Sequence, residues 1–261
     1  MDSILIQIII PFILSAIIVV TVTIIAERYG TKVGGILGTL PHLIIIAFVF
    51  IALNKDEEFA SRAASVVPIE VGINIMFLFL FAHFSNRSLV TCLTISLAAW
   101  LACSVALVII DFHDIYLSLV AFGACWITAV ILFERVKGIG SVAQVKVEYT
   151  WKKLIARGSL AGVVIAFAVV MSNVGSVLSG IFSVFPAMFL STMIISHREH
   201  GPKFVSGLAK SMIFGTPSVT SYAVGVHFLY PEVGIIWGTL TSAVIAIVIG
   251  LSLLALKGKI S

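Results

Sequence analysis

The sequence predicts an all-α protein that crosses a membrane several times. Of its 261 residues, 60% are apolar and 11% are charged, whereas a soluble domain carries about 25% charged residues. Several runs of about twenty residues carry no charge, and a helix of that length crosses a hydrocarbon layer of about 30 Å. Strands of a membrane barrel would be about ten residues long with alternating polarity, and the runs here are longer and uniformly apolar. We therefore predict a polytopic helical membrane protein.

The apolar runs divide the chain into nine predicted transmembrane helices. They cover residues 4–26, 33–53, 63–84, 89–110, 115–133, 154–172, 176–196, 204–229 and 233–255. The first run lacks the basic region and the small-residue cleavage site of a signal peptide, so we expect it to be retained. The only long polar segment, residues 134–153, is interpreted as a linker or a short surface helix.

Basic residues are divided unequally between the two sides that nine helices would create. The side of the C-terminus holds thirteen of them, namely Arg28, Lys32, Arg87, Arg135, Lys137, Lys146, Lys152, Lys153, Arg157, Arg198, Lys203, Lys257 and Lys259. The opposite side holds only Lys55 and Arg62. Because cytoplasmic loops carry the excess of Lys and Arg, we expect an N-terminus outside and a C-terminus in the cytoplasm, in the cytoplasmic (plasma) membrane. The net charge of +4 then requires no nucleic-acid partner.

Two stretches that lie 145 residues apart share their spacing of glycine and proline. Residues 30–43 read GTKVGGILGTLPHL and residues 175–188 read GSVLSGIFSVFPAM. The coinciding positions include Gly30 with Gly175, Gly35 with Gly180, and Pro41 with Pro186. Helices 1–4 would then correspond to helices 6–9, with helix 5 as a connector. The alternative is chance similarity between apolar helices.

The predicted correspondence has a geometric consequence. Matching helices are five crossings apart, and an odd number places the second unit upside down in the membrane, which makes an inverted 4+1+4 repeat. We therefore predict a first four-helix repeat over residues 1–110, a connector helix and cytoplasmic loop over 111–153, and a second repeat over 154–261. All three belong to one integrated membrane domain.

Helices that are interrupted at matching places in inverted repeats commonly mark the binding site. Pro41, Pro186 and Pro217 are the predicted breaks, because proline removes a backbone donor and frees a carbonyl oxygen. Gly35 and Gly180 are predicted hinge positions. Close packing between helices is the alternative role for the two glycines.

Glu70 is the most informative single residue. It lies about seven residues into the third predicted helix, roughly 10 Å below the outer surface. Ionisable side chains inside a membrane are costly and are by default functional. Burial favours the neutral form of a carboxyl group, so we interpret Glu70 as a carrier of a proton or a cation. The alternative places this residue at the membrane interface.

Five further side chains are predicted to bind the substrate or ion. Asn74 lies one turn after this carboxyl group on the same helix face. His42 follows a proline near the middle of the second helix, where hydrogen bonding between helices is its alternative role. Thr216, Ser218 and Tyr222 surround a proline in the eighth helix and could contact a polar substrate.

Metal binding and enzymatic chemistry have weaker support. Asp111, His113 and Asp114 combine ligand types that suit a divalent transition ion, but their spacing matches no established ligand motif. The sequence contains no Walker loop, no HExxH and no GxSxG, so we expect neither an enzyme nor a cofactor.

The second half resembles a known family. SGIFSVFPAMFLSTMIISHREHG, followed by LAKSMIFGTPS, is similar to the small GlpM-type integral membrane proteins in its Pro-containing opening, its charged turn and its following FG. The matching positions are Pro186 and Phe214–Gly215, and the likeness covers about a third of the chain. It implies a doubled version of a four-helix unit and assigns no catalytic residue. The first half departs from the pattern, with TLPHL at the opening and Glu70 in place of the glycine.

Together these features predict a secondary transporter that works by alternating access. We expect coupling to protons or cations and a substrate that is a small polar solute or a cation. An ion channel or pore, and a membrane assembly or lipid-processing factor without transport, are the alternatives. The expected partners are the lipid bilayer and a small solute or ion, and a homo-oligomer is compatible with the sequence.

Overall fold

The computed structural model describes residues 4–38, 41–135 and 150–260, and no strand occurs in these ranges. A π-helical stretch, Leu5–Ile9, leads into the first of nine α-helices. These are α1 (Ile10–Gly38), α2 (His42–Asn54), α3 (Glu57–Ser65), α4 (Val67–His83), α5 (Leu89–Ile109), α6 (Ile115–Arg135), α7 (Trp151–Met171), α8 (Ser176–Ser183) and α9 (Ala187–Ile260). The predicted all-α class is confirmed.

Helix α9 is interrupted at two glycines. A straight helix of 74 residues would be about 110 Å long, several times the thickness of a bilayer core. Gly201 and Gly234 have φ values of 78° and 75°, a conformation that glycine adopts without steric cost. We therefore divide α9 into α9a (187–200), α9b (202–233) and α9c (235–260).

Several helices are long and apolar enough to cross a membrane. Five stretches meet this description: Gln7–Ile25, Leu89–Ile109, Ile115–Phe133, Trp151–Met171 and Ser176–Leu253, the last of which includes α8 and most of α9. A sixth is obtained if α3 and α4, which are bent by 41° relative to each other, count as one span. The predicted membrane character is thus supported, whereas nine separate helices at the predicted boundaries are not confirmed.

The largest departures from the predicted boundaries lie at two prolines. Helix α1 continues through the predicted loop 27–32 and ends only at Gly38. The second predicted helix begins again at His42, directly after Pro41. The seventh is likewise divided, since α8 ends at Ser183 and α9 begins directly after Pro186. Proline suits the start of a helix, where its missing N–H has no role.

The helices form a buried centre and an apolar periphery. Helices α2, α3, α4 and α8 contribute many of the buried residues, among them Phe48, Phe77 and Phe81. Helices α1, α5, α6 and α9c instead carry exposed large apolar side chains, as at Val120 and Ile236. Exposed apolar side chains in this number match lipid rather than water.

Close helix contacts hold the centre together. Helix α1 packs along α7, where Gly158 and Gly162 lie directly against the backbone of Ala16 and Phe12. Small residues four apart allow membrane helices to approach in this way. Helix α4 packs against α5, α6 and α9, and α3 packs against α8 and α9. Of the predicted linker 134–153, residues 136–149 lie outside the described ranges.

Candidate functional site

The two proline breaks meet at a cavity with a volume of about 110 Å³. Its walls come from the first turn of α2, from residues 183–189 around the second break, and from α4, α7 and α9b. Gly35 and Gly180, the other two predicted hinge positions, lie inside α1 and α8. The interruptions of the helices therefore coincide with the prolines and not with these glycines.

The cavity draws on matching positions of the two halves of the chain. Residues 41–44 and 186–189 line it from the two breaks, and these ranges lie 145 residues apart. The lining residues of α4 and α9b are related by the same offset, namely Val71 with Thr216 and Asn74 with Val219. The offset was recognised in the sequence from glycines and prolines. The two pairs on α4 and α9b contain neither residue type, so they support the offset independently.

Two helix N-termini point at the cavity. Pro41 precedes α2 and its carbonyl oxygen accepts from the Ile45 N–H at 3.0 Å; Pro186 precedes α9 and its carbonyl accepts from Leu190 at 2.7 Å. The first N–H groups of a helix lack intrahelical partners, and a helix N-terminus carries a partial positive charge. Neither helix has an acidic residue in its first turn. The first turns of both helices therefore favour an acceptor or an anion.

Asn74 lines the same cavity and carries a buried acceptor without a described partner. Its side chain is 2% exposed, and its Nδ2 donates to the carbonyl oxygen of Val184 at 2.7 Å. Its Oδ1 has no hydrogen-bond partner among the described residues. A buried acceptor without a partner costs free energy, so a ligand with a donor group would stabilise this site.

Thr216 lines the cavity, but the carbonyl freed by Pro217 is already occupied. Pro217 cannot donate to the carbonyl of Ile213, one turn earlier. The Thr216 hydroxyl donates to that oxygen at 2.8 Å and the Trp126 indole donates to it at 3.1 Å. Helix α9b therefore continues through Pro217 without the predicted break, and the Ile213 carbonyl is not available to a substrate.

Replacing Trp126 with phenylalanine is expected to lower the free energy of unfolding by about 1 kcal/mol, because it removes one of two donors to this carbonyl. Thermal unfolding in detergent measures the effect. Trp237→Phe is the matched control, since Trp237 is 67% exposed on α9c. Equal melting temperatures for the two variants would contradict the role given to the indole.

Ser218 and Tyr222 lie away from the cavity. The Ser218 hydroxyl donates to the Ala246 carbonyl at 2.7 Å. The Tyr222 hydroxyl is 3.3 Å from that of Tyr230, which in turn is 2.7 Å from the Thr239 hydroxyl. These side chains connect α9b with α9c instead of facing the residues that line the cavity.

Glu70 is fully buried behind the cavity wall. The Ser104 hydroxyl oxygen lies 3.0 and 3.1 Å from its two carboxyl oxygens and 2.9 Å from the Trp100 carbonyl oxygen. A hydroxyl has one proton to donate. Ser104 can therefore donate to the Glu70 carboxyl group or to the Trp100 carbonyl oxygen, but not to both at once. No cationic side chain forms an ion pair with Glu70 within the described ranges.

An aromatic contact connects Glu70 to the cavity. The Trp100 ring lies 4.9 Å from the Phe185 ring at an interplanar angle of 83°, and Phe185 lines the cavity. Val71, the neighbour of Glu70 on α4, lines it as well. A change at this carboxyl group can therefore reach the second break through one layer of side chains.

Arg157 is a site residue that the sequence reasoning assigned only to the cytoplasmic charge count. It is 6% exposed, its Nη1 donates to the Thr192 hydroxyl at 3.1 Å, and its Nη2 lies 3.8 Å from Sδ of Met188. Met188 and His42 both line the cavity. The available signal was the position of Arg157 one turn before Ala161, on the face of α7 that carries small residues.

The predicted metal ligands have other partners. The His113 ring nitrogens lie 2.7 Å from the Asp111 carbonyl oxygen and 2.8 Å from the Ser176 hydroxyl. Asp114 accepts from the N–H groups of Tyr116 and Leu117 at the start of α6. In the part of the chain that the structure describes, no three His, Cys, Asp or Glu side chains are grouped to hold a metal.

No family model, curated protein or solved structure matches this chain. The resemblance of the second half to GlpM-type proteins therefore stays a prediction, and the function is argued from the geometry of the site.

Proposed function

We propose that this protein is a secondary transporter that moves a small polar solute by alternating access, with the cavity between the two proline breaks as its substrate site. The observation that carries the proposal is the lining of the cavity by residues related through one offset of 145. In an inverted repeat, such positions lie on opposite sides of a pseudo-two-fold axis in the membrane plane. Exchange of the two conformations would open the same site first to one side and then to the other.

The proposal counts nine crossings, of which several are broken. Helix α8 with α9a forms one broken crossing, and α2, which begins directly after Pro41, corresponds to α9a. Helices α3 and α4 form a bent crossing that corresponds to α9b. Helix α5 corresponds to α9c, and α6 is the connector.

Contacts at the two ends of the bundle are consistent with this arrangement. Gln7, Asn54, Ser172 and Asn173 form a chain of hydrogen bonds, and all four lie at the expected outer ends of their helices or in the loops beyond them. The segments expected in the cytoplasm also meet: the His197 ring lies 3.0 Å from the Ser85 carbonyl oxygen, and Lys153 forms an ion pair with Glu199. These pairings support the proposal, because residues expected on the same side of the membrane contact one another.

In this proposal, the Glu70 carboxyl group binds and releases the proton that is coupled to transport. Its carboxyl group lies within the bent α3–α4 crossing, without a cationic partner in the described ranges, and one aromatic layer from the second break. Binding and release of a proton would change the hydrogen bonds at Ser104 and thereby the contact of Trp100 with Phe185. Proton coupling is favoured over metal-ion coupling because, within the described ranges, Ser104 is the one side chain that hydrogen-bonds to this carboxyl, and a calcium or magnesium ion needs about six oxygen ligands.

Cysteine accessibility tests alternating access. In a chain whose Cys92, Cys103 and Cys125 are replaced with alanine, Val71→Cys and Thr216→Cys place one thiol on each half of the cavity. Both positions are at most 3% exposed, so labelling requires the cavity to open. A charged, membrane-impermeant thiol reagent is expected to label each variant in both right-side-out and inside-out vesicles.

The control is Ala223→Cys, which is buried but does not line the cavity, and we expect no labelling there from either side. If neither cavity position reacts from either side, the cavity is a packing defect and the transporter proposal is wrong. Single-channel currents faster than carrier turnover would instead favour the pore.

A further inference from the structure

We infer that the cavity binds a small carboxylate that also carries a hydrogen-bond donor, either a hydroxyl or an ammonium group. The inference deepens the proposed function, since it concerns the same site. It rests on three properties of the cavity: the sign of the fixed charge around it, the acceptor of Asn74, and its size.

The charge around the cavity favours an anion. The first turns of α2 and α9 both face it, and neither contains an acidic residue. Two helix N-termini of this kind are well suited to bind a carboxylate. The Arg157 guanidinium lies next to Met188 of the wall. No Asp or Glu is among the residues that line the cavity in the described ranges.

Asn74 requires a donor on the same ligand. Its Nδ2 is held by the Val184 carbonyl, which fixes the amide orientation and leaves Oδ1 as the acceptor without a partner in the described part of the chain. A simple anion such as chloride would leave this oxygen unsatisfied. A metal cation prefers six or more oxygen ligands, and the largely apolar walls here do not supply them.

The volume indicates the size of the ligand that fits inside the pocket. A cavity of about 150 Å³ accommodates benzene, and the volume here is about 110 Å³. A ligand of about five or six non-hydrogen atoms fits such a space. Glycolate and glycine have this size and carry the required pair of groups, with a hydroxyl in one and an ammonium in the other.

Binding to the purified full-length protein in detergent tests the inference without any transport assay. The probes are glycolate, glycine, propionate, glycerol and methylammonium, and the readouts are titration calorimetry and the shift in melting temperature. Glycolate or glycine is expected to bind at least tenfold more tightly than each of the other three, and the stronger of the two identifies the donor. Equal binding of propionate would remove the role of Asn74, and tighter binding of glycerol or methylammonium would overturn the anion site.

Two variants locate the binding. Asn74→Asp introduces a negative charge at the acceptor and is expected to weaken binding of the preferred carboxylate at least tenfold. Asn86→Asp makes the same change in the exposed α4–α5 turn and is expected to leave it unchanged. If Asn74→Asp does not fold, as judged by gel filtration, Arg157→Gln is compared with Arg157→Lys, and only the former is expected to weaken binding. Unchanged affinity in the folded Asn74 or Arg157 variant overturns the assignment.

The outcomes separate the inference from the proposed function. If the protein binds glycolate but the cavity thiols are labelled from one side only, the protein is a binding protein. The transporter proposal is then wrong, whereas the carboxylate inference stands. If the cavity opens to both sides but the protein binds only cations or neutral solutes, the transporter proposal stands. The carboxylate assignment is then wrong.

Discussion

Replacing Glu70 with glutamine is expected to slow solute-coupled proton movement at least tenfold. Glutamine has nearly the same volume as glutamate, and its amide can donate to the Ser104 hydroxyl, so the packing between α4 and α5 is retained. It cannot release or bind a proton in the transport cycle. The variant therefore tests the role of the proton while the packing of the fold is retained.

The measurement uses proteoliposomes that contain a trapped pH-sensitive dye. External glycolate is added to vesicles with the wild-type protein, with Glu70→Gln, or with no protein. In the wild type, symport of a proton with the anion acidifies the lumen, and in Glu70→Gln the initial rate falls to that of empty vesicles. Glu58→Gln is the matched control, because this glutamate is exposed on α3 and its variant is expected to retain the wild-type rate.

Two results would contradict the proton role. A Glu70→Gln variant with the full rate and an unchanged pH dependence would remove Glu70 from the mechanism. A wild-type protein that acidifies the lumen no faster than empty vesicles would exclude coupling to protons with this solute.

Replacing Gly180 with alanine is expected to lower the free energy of unfolding by about 1–3 kcal/mol, the usual cost of overpacking. A Cβ at this position would overlap the Ala63 carbonyl oxygen and lie 2.6 Å from Cγ1 of Val66. The obstacle is mostly backbone, which cannot move aside as a flexible side chain can. Helix α8 would have to shift away from α3, and the cavity wall at Ser183 would shift with it.

Thermal unfolding in detergent, compared with Gly123→Ala, measures this effect. Gly123 lies inside α6, and a Cβ added there meets nothing within 4 Å. Alanine is a better helix former than glycine by about 1 kcal/mol, so the control is expected to melt at or above the wild-type temperature. If Gly180→Ala melts as high as the control, the close approach of α8 to α3 does not exist in the membrane protein.

Prolines and one carboxylate were the site features that the sequence could identify. Pro41 and Pro186 act through the backbone, because a residue without an N–H limits the helix wherever it lies in the fold. The buried position of Glu70 follows from its place within an apolar helix. Such properties depend on the chain close to the residue, so they can be read from a single sequence.

The partners of the polar side chains could not be predicted in the same way. Asn74 and Thr216 line the cavity, whereas Ser218, in the same helix as Thr216, bonds to α9c, and Tyr222 bonds to Tyr230, which bonds to α9c. Helical spacing gives the direction of a side chain, but not which neighbouring helix it meets. Arg157 was counted as a cytoplasmic charge because its position near a helix end resembles that of a solvated residue.

By itself, the sequence determined the helical membrane character, the two proline breaks and the offset that relates them, because composition and backbone chemistry act locally. Only the tertiary structure decided that α1 continues to Gly38, that both breaks face one cavity, and that helix N-termini and Arg157 lie around that cavity. The physical reason is that the charge and shape of a site are sums over segments far apart in the chain. The packing of those segments brings them together, and no local pattern records it.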